Sequence, residues 1–543
     1  MRCRGDTAIR RYGDTAISTY PACSGLGPDD EKAGKRSVTG HSRIRNSLLA
    51  RRIVTAEEAA AMIPADANIG MSGFTGAGYP KAVPGALARR IAAADAAGEP
   101  MRVSVWTGAS TAPELDGVLA ATDGIDLRLP YQSDPVTREK INSGRMEYID
   151  LHLSHVAQSV WQGFLGPLDV AVVEVSAITE DGHLVPSSSV GNNKTWIDQA
   201  DKVILEVNSW QAEELMGMHD VYYGTALPPR RRPIAVTGPG DRIGVPYLRC
   251  PAEKVIAVVE THAPDRNTPF KSPDEISRRI AGHVLDFLVN EVKQGRLPES
   301  LLPLQSGVGN VANAVLAGLE EWPADGLTAY TEVIQDGMLQ LIDSGKLDVV
   351  SATAFSLSSE TVEKFNARAG EYRDRIVLRP QEISNHPEVV RRLGCLAMNG
   401  MIEADIYGNI NSTHIMGSRV QNGIGGSGDF ARNGLISFFL SPSEAKGGAI
   451  SAIVPMVSHV DHTEHDVDVI VTEQGLADLR GLSPKQRARQ IIDKCAHPDF
   501  RPALEEYYQR ALHSSHGLHT PHMLDQALSW HVRYLASGSM QGD

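Results

Sequence analysis

The sequence predicts an α/β protein made of two related open sheets, with its active site in the cleft between them. Three observations carry that expectation. Short apolar, β-branched runs alternate with stretches of helical periodicity, glycine-bearing turns separate them, and the order of runs and turns recurs in the two halves of the chain.

In the first half, Met71-Ser-Gly73 is followed by Lys81-Ala-Val83 and a helix, and then by Val103-Ser-Val-Trp-Thr-Gly108. In the second, Gln305-Ser-Gly307 is followed by Asn313-Ala-Val315 and a helix, and then by Leu327-Thr-Ala-Tyr-Thr-Glu332. The apolar strand Leu168-Asp-Val-Ala-Val-Val-Glu174 and the turn Glu180-Asp-Gly-His-Leu184 have a counterpart in Glu403-Ala-Asp405 and the turn Ile406-Tyr-Gly-Asn-Ile410. Each half thus has the βα order of a parallel sheet. The first domain is predicted over residues 43–260. The second, over 261–543, carries the candidate nucleophile and a C-terminal helical segment. Residues 1–42 are polar and contain the near-repeat Gly5-Asp-Thr-Ala-Ile9 and Gly13-Asp-Thr-Ala-Ile17. They lack the apolar region of a secretory signal and are expected to form a disordered or non-native extension.

A chain of 543 residues can bury a large core. Its formal charge, 52 − 66 = −14, argues against a general nucleic-acid or anionic-membrane surface. An acidic protein that handles an anionic ligand needs local cations, which directs interest to Lys194, Arg266 and Lys446. The five cysteines are odd in number, widely spaced and without a Cys-x-x-Cys pair, as expected of a reducing, cytoplasmic setting. No apolar run approaches the roughly 18 residues of a membrane span.

Two motifs are decoys. Gly423-Ile-Gly425-Gly-Ser-Gly428 has dinucleotide-turn spacing, but a poor apolar strand precedes it and no suitable acid follows about 20 residues on. Ser458-His459-Val-Asp461-His462-Thr-Glu464-His465-Asp466 is dense in potential ligands, but it lacks His-Glu-x-x-His and leads into a strand. A polar turn is expected there, and no metal.

Glu332 ends the run Leu327–Tyr330, where open α/β sheets place their ligands. Upstream, Leu304-Gln-Ser-Gly-Val-Gly-Asn310 is a glycine loop opening a helix, able to offer backbone N–H groups to an anion. Downstream come Ser384-Asn385-His386-Pro387 and the glycine-rich run Asn422–Phe430. Two N–H loops and a carboxylate make a coherent acyl-transfer site.

Together the 306–311 loop, Tyr330-Thr-Glu332-Val, Asn385-His386-Pro387, Gly423–Phe430 and Val471-Thr-Glu473-Gln474-Gly475 resemble the acetyl-CoA hydrolase/transferase family. Within the class I CoA-transferases, the likeness is nearest to the succinyl-CoA:acetate CoA-transferases. It covers about residues 45–510. The resemblance implies Glu332 as nucleophile, oxyanion donors from the N–H groups of Val308 and Gly426, and Asn385 bonded near the glutamyl thioester. It also implies coenzyme A contacts from Gly307, Val308, Gly309, Asn310, Val311, Asn422, Gly426 and Lys446, with Arg266 and Glu473 as a pair that orders the closed site. A plain surface salt bridge is the alternative for that pair.

An ordinary glutamate pKa, about 4.3, predicts an ionised nucleophile needing no separate base. Carboxylate attack on an acyl-CoA would then lead to a covalent glutamyl-CoA thioester, and a second acid would leave as the new acyl-CoA. The expected substrates are acyl-CoA and small carboxylates, with coenzyme A as substrate and covalent intermediate and no permanently bound cofactor. A homodimer is expected because it is the commonest soluble assembly. Two alternatives stand beside transfer: hydrolysis by the same glutamate, and non-catalytic acyl-CoA binding.

Overall fold

Two eight-stranded sheets carry the molecule. The computed structural model describes residues 43–110, 112–267 and 272–542; the expected extension over 1–42 lies outside them. The first sheet runs in the order Val255–Thr261, Lys202–Asn208, Val170–Ile178, Ala67–Met71, Val103–Trp106, Ile125–Leu129 and Glu147–Tyr148, all parallel, with Leu184–Pro186 antiparallel on Val170–Ile178. The second runs Ile376–Leu378, Leu347–Ala352, Leu327–Tyr330, Leu304–Ser306, Leu396–Gly400, Ile436–Leu440 and Val469–Thr472, also parallel, and ends on antiparallel Gly475–Asp478. Read from opposite ends, the seven parallel strands of each sheet follow the same sequential order, the topology expected of two related α/β units.

The strands are covered on both faces, so buried positions dominate them. Val170–Ile178 is buried at every position. The largest apolar cluster includes Val173 and Trp196 from the first sheet region and Leu304 and Phe438 from the second, so the two sheets share one core. Buried charges also cross between distant segments. The Lys81 ammonium sits 2.7 Å from both Glu174 and Asp265, and Arg379 pairs with Asp220. Among the described residues, no helix is long and apolar enough to cross a membrane.

One detail of the expected repeat differs. Glu403–Asp405 lies outside the main sheet, in a three-stranded sheet with Ile410–Asn411 and Ile453–Val454. The strand beside Leu304–Ser306 is Leu396–Gly400. The long strand of the first half is therefore broken in two in the second, around Met401–Ile402. Leu396-Ala-Met398 is too short an apolar run to declare a strand by periodicity alone.

Candidate active site

Glu332 is placed by a change of pairing. Its strand ends at Tyr330, the Glu332 carbonyl accepts from the Thr353 N–H at 2.9 Å, and the next strand, Val333–Gln335, pairs with Ala354–Ser356 outside the main sheet. This step turns the side chain into a cleft of about 340 Å³. The second half contributes Ser306, Gly307, Val308 and the glycine-rich loop at 422–427 to its walls. The first half contributes Phe74, Thr75, Ala109, Tyr131 and Leu153. Among the described residues, no lysine or arginine lines the cleft.

Asn385 caps the short helix Gln381–Ser384, just before Pro387 opens Pro387–Leu393. Its Nδ2 donates to Glu332 Oε1 at 2.6 Å, while its Oδ1 accepts from Ser384 Oγ at 2.8 Å. The Gly426 N–H donates to the same carboxylate. A Cβ at position 426 would stand 1.6 Å from Glu332 Oε1, so only glycine permits this approach. The Val308 N–H, among the described residues, has no hydrogen-bond partner and borders the cleft. Gly309, at φ +120°, then turns the chain into the helix Asn310–Gly318.

Electrostatics modify the expected picture of the glutamate. Burial pushes the Glu332 carboxyl up to about 7, against the lowering effect of the Asn385 and Gly426 hydrogen bonds. In place of the full ionisation expected at neutral pH, the group is poised between its two forms. Asp429, almost fully buried, is likewise raised to about 7, by burial and then by the nearby Glu332 charge, while two bonds from Ser154 act in the opposite direction.

The other sequence-selected residues are distributed less uniformly. Gly307, Val308, Asn422 and Gly426 line the cleft; Gly309, Asn310 and Val311 continue from its wall into the helix start. Lys446 is exposed, between the antiparallel strands Glu444–Ala445 and Ile450–Ser451, and is not among the cleft-lining residues. Arg266 and Glu473 are engaged elsewhere. Arg266 pairs with Glu114 at 2.9 Å, and Glu473 is buried, accepting from the Ser443 N–H at 2.8 Å. Lys194 is also buried and paired, 2.9 Å from Asp198, so it is no free cation. In the His459–Asp466 segment, His462 Nε2 meets Ser427 Oγ at 3.1 Å and a single 3₁₀ turn spans Glu464–Asp466; no metal-binding group of three or more His, Cys, Asp or Glu side chains forms among the described residues.

Sequence reasoning left out the first-half wall and gave Asp429 no role. A signal existed for the wall: Phe74, Ala109 and Tyr131 each lie two or three residues beyond the carboxyl end of a parallel strand.

Comparison with known proteins bears on this geometry. The model of the acetyl-CoA hydrolase/transferase N-terminal domain matches residues 40–260, and that of the C-terminal domain matches 363–508. The chain belongs to the acetyl-CoA hydrolase/transferase family. It is accordingly an enzyme. It is 51% identical to a succinyl-CoA:acetate CoA-transferase of Clostridium kluyveri, over 92% of this chain and 92% of the relative. It is also 45% identical to an acetyl-CoA hydrolase of Schizosaccharomyces pombe, over 92% of this chain and 98% of the relative. Among solved structures, RipA from Yersinia pestis has the same fold, with a TM-score of 0.66 at 22% identity, covering 87% of this chain and 99% of that one.

Proposed function

We propose that this enzyme is a class I CoA-transferase that exchanges coenzyme A between small carboxylic acids, of the succinyl-CoA plus acetate type, with Glu332 as nucleophile. The observation that carries this reading is the Glu332 carboxylate in the cleft, held by Asn385 and Gly426, with Val308 lining the same cleft.

In its ionised form, one Glu332 oxygen attacks the thioester carbonyl. The C–S bond breaks, coenzyme A leaves as thiolate, and a mixed anhydride remains. The thiolate then attacks the glutamyl carbonyl, expelling the first carboxylate and leaving Glu332 as a coenzyme A thioester. A second carboxylate attacks that thioester and releases the thiolate, which attacks the new acyl carbonyl and restores Glu332. Each tetrahedral oxyanion needs preorganised donors, and the N–H groups of Val308 and Gly426 are the candidates. Gly307, Gly309, Asn310, Val311 and Asn422 would hold coenzyme A. Lys446, exposed near the surface, is proposed only for its distal phosphates.

Phe74, Ala109 and Leu153 of the first-half wall form a small apolar cluster with Val333 and Ala354 of the second half, suited to a short acyl group. The 51% identical relative is named for succinyl-CoA and acetate. We further propose that the two structural units run over 43–260 and 261–543, that the enzyme is a cytoplasmic homodimer, and that it uses no permanent cofactor.

Hydrolysis by the same glutamate is the second reading, favoured by the relatives named acetyl-CoA hydrolases. Incubation with labelled acetate and succinyl-CoA, with free thiol followed in parallel, separates the two. Label entering acetyl-CoA without thiol release supports transfer. Thiol release independent of acceptor supports hydrolysis.

A further inference from the structure

We propose that Asp429 is a positioning residue for the nucleophile: anchored by Ser154, its carboxylate takes one N–H of the Asn385 amide and so directs the other at Glu332. The inference rests on Glu332 being the nucleophile.

Two buried carboxyl groups, Glu332 and Asp429, lie near the Asn385 amide. Asn385 Nδ2 donates to Glu332 Oε1 at 2.6 Å, and the same amide is near enough to Asp429 to oppose the upward pull of burial on its carboxyl. An amide NH₂ has two hydrogens, so both acceptors can be served at once. The opposite end of the amide accepts from Ser384 Oγ at 2.8 Å, which fixes which end faces the carboxylates. Asp429 in turn accepts from Ser154 Oγ at 2.6 Å and from the Ser154 N–H at 3.0 Å. Ser154 belongs to the helix Leu153–Trp161 of the first half, so the orientation of the amide at the nucleophile depends on a contact reaching across from the other half.

A buried carboxylate without a counter-ion is costly, and surface-type burial does not explain its presence here. Asp429 is 3% exposed and has no ion pair among the described residues. What it does have is a set of neutral donors, one of which is the residue that holds Glu332. Once Glu332 becomes an acyl anhydride or a thioester its own charge is gone. Asp429 then keeps the Asn385 amide in place, with its free N–H aimed where the glutamyl carbonyl oxygen gains charge.

The charged and titratable groups around Asp429 are Glu332 beyond the amide and, in the adjoining cavity of about 360 Å³, His152, His155, Arg391, Arg432 and Asp466. Only Glu332 is joined to Asp429 through the amide, so removal of the Asp429 charge acts on Glu332 with a defined sign. A negative neighbour raises a carboxyl pKa; its loss lowers it.

The test is the rate at which the enzyme is captured by acyl-CoA and fixed by borohydride, followed by mass over a range of pH. If wild type gives no adduct at Glu332, the function proposed above fails. Given a wild-type adduct, Asp429→Asn is expected to be captured at least about tenfold more slowly at its plateau. Coenzyme A affinity should stay within about twofold, and the acid limb should move to lower pH by about half a unit or more. A folded Asp429→Asn protein whose acid limb stays in place overturns the inference, whatever its plateau. Should that variant fail to fold, Ser154→Ala decides: about threefold slower capture at unchanged thermal midpoint and unchanged coenzyme A affinity supports the role, and wild-type capture overturns it.

Discussion

The two halves place equivalent strands in the same position of their two separate sheets and end them differently. In the first, Val103–Trp106 leads to Thr107-Gly108; in the second, Leu327–Tyr330 leads to Thr331-Glu332. Gly108 has no space for even one carbon: a Cβ there would lie 2.5 Å from the Gly73 carbonyl oxygen and 3.1 Å from Gln381 Oε1. At the equivalent site in the other half, the chain turns outward and its carboxylate reaches a cleft. The difference teaches that a repeated frame need not carry repeated chemistry. One copy presents a carboxylate to the cleft, and the other packs tightly against the segment, Gln381–Asn385, that supplies its hydrogen-bond donor.

The largest test of this asymmetry is Glu332→Ala. It should lower exchange activity by about 10⁴-fold or more, measured as label transfer into acyl-CoA, because no equivalent group in the first half can substitute. Residual activity near wild type would remove the distinction between the halves.

Next comes Gly426→Ala. The new methyl would occupy the position of the Glu332 carboxylate, and a loss of about 10²–10³-fold in kcat is expected with the fold retained by circular dichroism.

The pH profile sharpens the comparison from the electrostatic side. As the proposed nucleophile Glu332 would attack only when ionised, and burial raises its pKa to about 7, so kcat/KM should fall as pH drops through about 7. Asn385→Ala removes a hydrogen bond that lowers this pKa. The acid limb should therefore move to higher pH, with kcat down by about 10²-fold. A limb near 4 in the wild type would contradict the burial argument.

Smallest in activity, but informative on packing, is Gly108→Ala in the silent copy. Overpacking against backbone should cost about 1–3 kcal/mol, read as a lower denaturant midpoint, together with a modest fall in kcat through displacement of Gln381.

Much of this organisation was legible because it is local. The run Leu327–Tyr330 and the helix at 336–343 announce themselves within one window of periodicity, and so do the glycine loop at 307–309 and the helix that follows it. The broken strand at 396–405 was not legible, since three apolar residues before Asn399 establish no period. Arg266 carried no sign that Glu114, about 150 positions earlier, would be its partner, nor Glu473 that Ser443 would bury it.

What the amino-acid order determined by itself was the alternation of strand and helix, the duplication, and the glutamate at a strand end between glycine loops, each set by neighbours within a few residues. Tertiary packing alone decided which wall faces that glutamate, how Asn385 and Asp429 converge on it, and that its pKa lies near neutrality. Those properties depend on desolvation and on groups brought together from distant parts of the chain, and short-range periodicity contains no record of either.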